Sequence, residues 1–453
     1  MPLQEVLLSD YGTASSIPAP VNRLMAAFAQ DFRDDIDINL GVGYVNENTI
    51  PRDLIEEALH EVLQDPDKYR VCLNYGGPVG SPNLITSIRQ FHLDHQVGGL
   101  TEDILSNLEI IVGPNGATSL LEGITHVMAP GIVLTADPIY YIYCNLLERM
   151  GFEVCATPED EHGIDPDGLE HKIGELGDRD HQIRFFYLVT VNNPTCSILA
   201  NQRRQRLVEI ATRLSRKLGR NIPVFFDKAY ENLIHDPNVE RIESGLLHDD
   251  LGLVYEIGTL SKILAPALRI GYMIGPGGPL LDAVVQKTSD AGFSAPLINQ
   301  EIASYLLDHH ASEQIAQVNT GYRQKAKSVR HWIDSQLGDH LVECRGGSAG
   351  FYFYLTLDGI ATHENSAFFR FLARTTGRPE IDGHPADKHP RVVYLPGEFC
   401  VHPHGDLVTV GQHQFRLSYG FEELPRIEQA IDWMRQAISY AHTSAEAKEE
   451  FQD

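Results

Sequence analysis

The chain has 453 residues, 43% of them hydrophobic and 22% charged, with a formal net charge of −26. That length allows two or three domains around a large core, and the negative charge argues against a surface that follows nucleic-acid phosphates or an anionic membrane. Six scattered cysteines without a CxxC pair predict neither a metal site nor a disulfide framework, so reduced thiols in the cytoplasm are the expectation. The N-terminus has no basic segment leading into an apolar core, and no apolar run reaches about 18 residues, so neither a signal peptide nor a membrane span is expected.

Residues 1–18 read as a polar loop and 21–33 as a helix. Ile38–Tyr44 reads as a short strand entering a glycine-rich turn, where backbone can approach a ligand closely. Helices are expected at 51–64 and 82–95, on either side of the turn LNYGGPVGSP at 73–82. From about residue 109 the pattern becomes strand, loop, helix, repeated. Strands are expected at 109–112, 132–136, 152–156, 183–190, 222–226, 253–256 and 270–274, with helices opening at 116 and covering 140–150 and 202–219. This alternation predicts an α/β fold: a large domain with a mostly parallel sheet covered by helices on both faces. In such sheets the site lies beyond the carboxyl ends of the strands, where Gly116, Asp137, Asn193, Asp227 and Lys262 all fall.

The polar helical stretch 297–335 reads as a connector. Strands at 347–357, 392–395 and 415–419 and a helix at 424–440 predict a smaller α+β domain, built from the N- and C-terminal segments. Residues 375–390 read as a surface loop and 444–453 as a frayed acidic tail. The expected division is an N-terminal segment at 1–65 that covers the site, a large domain at 66–325 and a C-terminal small domain at 326–453.

The chemistry centres on VYEIGTLSKILAPALRIGY at 254–272. A desolvated lysine can attack a carbonyl to form a Schiff base, and Thr259, Ser261 and Arg269 around Lys262 are groups that hold a phosphate. A surface lysine after a strand is the plain alternative. Gly116, Ala117 and Thr118 start a helix, whose free N–H groups suit an anion. Asp227 is either a turn residue or the partner of a pyridine N–H. Tyr230, three residues on, is either a packed aromatic or a hydrogen-bond partner of a ring substituent. Asn193, before a proline, is either a turn residue or an amide donor to a phenolate oxygen. Tyr140 is either core or a ring stacked on an aromatic cofactor. Arg416, flanked by apolar residues in a strand, is either ion-paired or a clamp on a substrate carboxylate.

Taken in order on one α/β scaffold, the segments TLSKILAPALRIGY (259–272), DKAY (227–230) and NNPT (192–195) resemble the fold-type-I, pyridoxal-phosphate-dependent aminotransferases of class I/II, over roughly residues 35–440. The resemblance implies that Lys262 holds pyridoxal 5′-phosphate as an internal aldimine and, with Asp227 and Tyr230, forms the catalytic set. Asp227 would pair with the pyridinium nitrogen. Asn193 and Tyr230 would contact the 3-oxygen, Tyr140 would stack on the ring, and Gly116, Ala117, Thr118, Thr259, Ser261 and Arg269 would hold the phosphate. Arg416 would bind the α-carboxylate, with Gly41 and Asn193 beside the substrate. Tyr75 resembles the tyrosine that reaches the neighbouring subunit's phosphate, which implies a homodimer with shared sites. The implied reaction is ping-pong transfer of an amino group from an α-amino acid to a 2-oxo acid. Cys196 stands where the family usually has the glycine of NPTG, and Ala267 where a glycine precedes Leu-Arg, which puts loop shape in question rather than chemistry.

Other reactions on the same cofactor, namely β-lysis, cyclopropane-carboxylate synthesis and decarboxylation, use the same base and electron sink. An aminotransferase-like regulator would need a DNA-binding module of about 70 residues by the same resemblance, where some 35 residues precede the recognisable core here. A degenerate structural protein would have lost Lys262, Asp227 or Arg416. For the substrate side chain, Tyr44, Tyr140, Tyr141, Phe293 and Phe351 favour an aromatic or bulky apolar group unless they are core.

Overall fold

The computed structural model describes residues 6–384 and 387–449. Its largest sheet has eight strands among these residues. A two-residue strand β1 (Ile38–Asn39) precedes them in the chain. The sheet comprises β2 (Glu109–Val112), β3 (Ile132–Asp137), β4 (Glu153–Asp160), β5 (Gly163–Ile164), β6 (Ile183–Val189), β7 (Val224–Asp227), β8 (Val254–Thr259) and β9 (Gly271–Gly275). Their order is β2-β9-β8-β7-β6-β3-β4-β5. The run β4-β3-β6-β7-β8 is parallel, whereas β9 is antiparallel to both its neighbours. The parallel strands are apolar on both faces, because helices cover both. Every residue of β3, β7 and β8 is buried.

The expected strands of this sheet all form, within a residue or two at most boundaries. Helices α1 (Pro20–Ala29), α2 (Arg52–Gln64), α3 (Pro82–Asp94), α4 (Gly116–Val127), α5 (Tyr141–Arg149) and α6 (Asn201–Leu218) also stand where periodicity places them. Helix α6 shows why: Leu207, Val208, Ala211 and Leu214 form its buried stripe, and Gly219 ends it in the left-handed region at φ 65°. Among the helices with no counterpart in the sequence reading are Pro166–Glu175, Pro279–Gly292 and Ala367–Leu372. The N-terminal stretch read as loop contains the helix Asp10–Ser15, capped by Ser9 through its side chain.

The stretch 297–335 is one helix, α7 (Leu297–Leu337), of 41 residues. The second sheet is antiparallel, ordered β10 (Leu341–Gly346), β11 (Tyr352–Leu357), β14 (Gln414–Ser418), β13 (Leu395–Pro396). Strand β10 has no counterpart in the sequence reading, and β11 begins five residues later than the expected 347, because Gly346, Gly347 and Gly350 turn the chain between them at positive φ. Strand β12 (Val392–Val393) pairs instead with β1, in parallel, as a separate two-stranded sheet, and the Ser418 N–H, donating to Leu40 O at 2.8 Å, ties the N-terminal segment to the four-stranded one. Residues 375–390 carry a short helix, Pro379–Asp382, and two-residue strands at Gly383–His384 and Asp387–Lys388 rather than plain loop. The final helix α8 (Leu424–Glu449) runs into the stretch read as a frayed tail, the rest of which lies outside the described residues. No helix among the described residues is long and apolar enough to cross a membrane.

A buried ion network fixes β7 to β8 beneath the site. Lys228 Nζ lies 2.7 Å from Glu256 and 2.9 Å from Glu231, and Glu231 is 2.8 Å from Arg204. Glu256 also accepts from Ser244 Oγ at 2.6 Å and from the Gly245 N–H at 3.1 Å. Burial alone pulls the Lys228 amine down, but the two carboxylates outweigh it and hold its pKa above the usual lysine value. Removing one partner of such a cluster leaves buried groups uncompensated. Glu256→Ala is therefore expected to lower the denaturation midpoint by the equivalent of about 3–5 kcal/mol. Urea unfolding followed by circular dichroism checks this, and an unshifted midpoint would count against the network as an anchor.

Candidate active site

The carboxyl ends of β3, β6, β7 and β8 deliver Tyr140, Asn193, Asp227, Tyr230, Thr259, Ser261 and Lys262 to one cavity of about 130 Å³. Ala117, Thr118 and Arg269 complete the wall at the helix start. Lys262 Nζ donates to the Gly43 carbonyl at 3.3 Å and lies 5.4 Å from the Tyr230 ring centroid. Burial, then the like charges of Arg269 and Arg416, pull its pKa down to about 8 against the opposing carboxylate of Asp227. A lysine with this value has an appreciable neutral fraction near neutral pH and is a competent nucleophile.

One end of the cavity is built for an anion. Helix α4 starts at Gly116, whose φ is 71°, and its first N–H groups have no intrahelical carbonyl. A Cβ on Gly116 would lie 2.9 Å from an Arg269 guanidinium nitrogen, so glycine permits the close approach. Arg269 is itself left-handed at φ 56° and donates to Asn115 Oδ1 at 2.8 Å and Asn115 O at 2.9 Å. Thr259 Oγ1 donates to Ile270 O at 2.8 Å and lies 3.0 Å from Ser261 Oγ.

At the other end, Asp227 accepts from Tyr187 Oη at 2.9 Å and from the Ala229 N–H at 3.0 Å. Burial raises its pKa more than these donors and Lys262 lower it. A cationic N–H in the cavity would relieve that cost. Tyr230 Oη is 2.8 Å from Tyr352 Oη. Arg416 is buried and forms no ion pair with a carboxylate among the described residues. Instead it donates to Asn193 Oδ1 and to the Gly41 carbonyl, both at 2.6 Å, and its Nε–H is left without a partner. The ion-paired alternative for Arg416 thus gives way to a buried guanidinium held by neutral acceptors. The donor set fits a phosphorylated pyridine aldehyde: lysine, buried carboxylate, amide, phenol and an anion cradle around one space.

Tyr75 lies elsewhere on this chain, 80% exposed, with its ring 5.4 Å from that of the exposed Phe293. Phe351 is core, packed against Tyr230, Tyr322 and Tyr352. Tyr44 is exposed against Phe421, and Tyr140 and Tyr141 are half-buried. Cys196 keeps the turn usually made by glycine, at φ 53°, a conformation that strains a residue with a Cβ. It persists because the Cys196 N–H donates to Asn192 O at 2.7 Å and its side chain is buried against Gly350, where a Cβ would meet Sγ at 2.6 Å. Ala267 is exposed and has no positive φ, so its position does not require glycine. Sequence reasoning missed Tyr187 and Tyr352. Each sits in a run of apolar residues and reads as core, and only the fold turns its hydroxyl into a site group.

A family model for aminotransferase class I and II matches residues 35–377. An uncharacterised HTH-type transcriptional regulator YisV of Bacillus subtilis (strain 168) is 24% identical over 93% of this chain and 78% of its own length. A 2-aminoadipate transaminase of Thermus thermophilus is 26% identical over 63% of this chain and 67% of its own. Among solved structures, LysN, an α-aminoadipate aminotransferase of Thermus thermophilus complexed with N-(5′-phosphopyridoxyl)-L-leucine, superposes with a TM-score of 0.73 at 21% identity, covering 94% of this chain and 97% of that one. The match of the family model across most of the chain establishes that this protein belongs to the class I and II aminotransferases.

Proposed function

We propose that this aminotransferase uses pyridoxal 5′-phosphate, held by Lys262, to exchange an amino group between an α-amino acid and a 2-oxo acid in a ping-pong cycle. The observation that carries the reading is the single cavity walled by Lys262, Asp227, Asn193, Tyr230, Ser261 and Arg269. The bound cofactor supplies an aldehyde for the lysine amine and an electron-withdrawing ring for the substrate's Cα. Gly116, Ala117, Thr118, Thr259, Ser261 and Arg269 grip the phosphate with N–H, hydroxyl and guanidinium donors. Asp227 keeps the ring nitrogen protonated. Tyr230 and Asn193 donate to the ring oxygen, and Tyr140 stacks on the ring. Arg416, with Gly41 and Asn193 beside it, would receive the substrate carboxylate and orient Cα toward Lys262. Lys262, whose amine burial pulls down to about 8 in this structure, would take and return the Cα proton.

We divide the chain into an N-terminal segment (1–65), a cofactor-binding domain (66–325) and a small domain (326–453). The two sheets and the β1–β12 pairing support this division. We further infer a homodimer in which Tyr75 completes the neighbour's site. The exposed apolar run Val71, Leu73, Tyr75 and Val79, with Phe293 against it, supports that face as the contact. The six free thiols support a reducing, cytoplasmic compartment.

Three outcomes test this reading. Lys262→Ala is expected to abolish the visible absorbance of lysine-bound cofactor and to lower turnover by about 1,000-fold or more. Retained turnover would overturn the assignment. Arg416→Ala is expected to raise KM for amino acids by roughly ten- to a hundredfold, with cofactor absorbance intact, and unchanged kinetics would move the clamp elsewhere. The Lys262 amine is lowered from an ordinary value of 10.5 to about 8, so its neutral fraction grows as pH rises through about 8. The rate at which cofactor-free protein takes up pyridoxal phosphate should rise through the same range, and stopped-flow absorbance between pH 6 and about 10 checks it. A screen of amino donors, following the same absorbance, identifies the substrate.

A further inference from the structure

Behind the cavity wall stands a residue that touches both halves of the proposed site without lining it. Tyr352 is fully buried at the start of β11. It pairs across β14 with Ser418, and Tyr354 pairs with Arg416, so Tyr352 and Arg416 lie on the same face of the sheet. The Arg416 guanidinium carbon sits 4.2 Å from the Tyr352 ring centroid. The Tyr352 hydroxyl is 2.8 Å from that of Tyr230. Gly43 is held open for it, since a Cβ there would lie 2.5 Å from Tyr352 Oη. The same glycine's carbonyl accepts from Lys262.

We propose that Tyr352 is a positioning residue for both ends of the reaction, its hydroxyl donating to the Tyr230 phenol and its ring holding the plane of Arg416. The proposal rests on the pyridoxal phosphate reading above. Each phenol carries one proton. When Tyr230 donates that proton to an oxygen on the cofactor ring, its own oxygen is left to accept, and Tyr352 is the hydroxyl in reach. The hydrogen bonds then run one way, from Tyr352 to Tyr230 to the ring oxygen. A phenol that accepts a hydrogen bond becomes a stronger donor, so Tyr352 reinforces the contact it does not make itself. The ring acts separately. Arg416 has two of its nitrogens tied to Asn193 and Gly41, and stacking on Tyr352 fixes the remaining rotation, which sets where the free Nε–H points.

The two roles come apart in two variants of the holoprotein. Tyr352→Phe removes the hydroxyl and keeps the ring. A ring oxygen that loses donation holds a neighbouring proton more tightly, so the midpoint of the pH-dependent change in the cofactor's visible band should rise by about half a unit to one unit. KM for amino acids should stay within about twofold of wild type. Tyr352→Leu removes both groups and should add a rise in KM of about tenfold to the same spectral shift. In a Tyr230→Phe background, Tyr352→Phe should shift the band no further. Because Tyr352→Leu empties part of the core, the Tyr352→Phe comparison in the two backgrounds decides the matter, and thermal melting confirms that those proteins are folded. No shift in the wild-type background, or equal shifts in both, would overturn the hydroxyl's role. An equal KM rise in Tyr352→Phe and Tyr352→Leu would overturn the ring's role. A wild-type protein whose visible band is absent, or survives Lys262→Ala, would overturn the cofactor reading itself and this proposal with it.

Discussion

The chain takes two lysine ammonium groups out of water and treats them in opposite ways. Lys228 is given two carboxylates, Glu231 and Glu256, within 2.9 Å, and its charge is held in place. Lys262 receives a carbonyl at 3.3 Å and two arginines of its own sign, and its charge becomes costly. Desolvating a charge without pairing it shifts the group toward its neutral form. The rest of the site follows from that constraint. Arg269 and Arg416 depress the amine, while Asp227 limits how far it falls. Neutral acceptors hold Arg416, and no carboxylate among the described residues pairs with it.

The scaffold makes this arrangement affordable in stability. Lys228 follows Asp227 directly in the chain, and its ion network ties β7 to β8 just below the strand ends. Burying Asp227 and Lys262 costs free energy at the cavity, while paired charges and apolar strands hold the floor beneath them. The helix start at Gly116 takes a positive φ that glycine allows, and the left-handed turn at Arg269 adds local strain. Both are held by the Arg269–Asn115 hydrogen bonds, which join the two sides of the anion cradle.

Much of this was legible in the sequence, for physical reasons. Parallel strands buried on both faces leave continuous apolar runs, and the residues at their carboxyl ends stand out as polar breaks: Asn193, Asp227 and Lys262. Arg416 was legible because a cation in an apolar strand demands a partner. The partner's identity was not, since Asn193 and Gly41 come from distant segments. Tyr187 and Tyr352 were illegible because a buried tyrosine and a hydrogen-bonded tyrosine look alike in sequence. Strand β10 went unseen because its register depends on glycine turns at Gly346, Gly347 and Gly350. Helix Pro279–Gly292 was missed although Pro279 marks its first turn.

Cys196 and Gly350 lock two of these segments together. Cys196 closes the turn that presents Asn193, and Gly350 stands two residues before Tyr352. The thiol fills the space that any side chain at 350 would need, and the bare glycine leaves room for a side chain at a turn that would itself suit glycine. Position 350 therefore cannot gain a side chain without displacing the Cys196 thiol. Glycine at 196 would free that space for the few residues that accept a left-handed backbone at 350, whereas cysteine at 196 closes it to all of them.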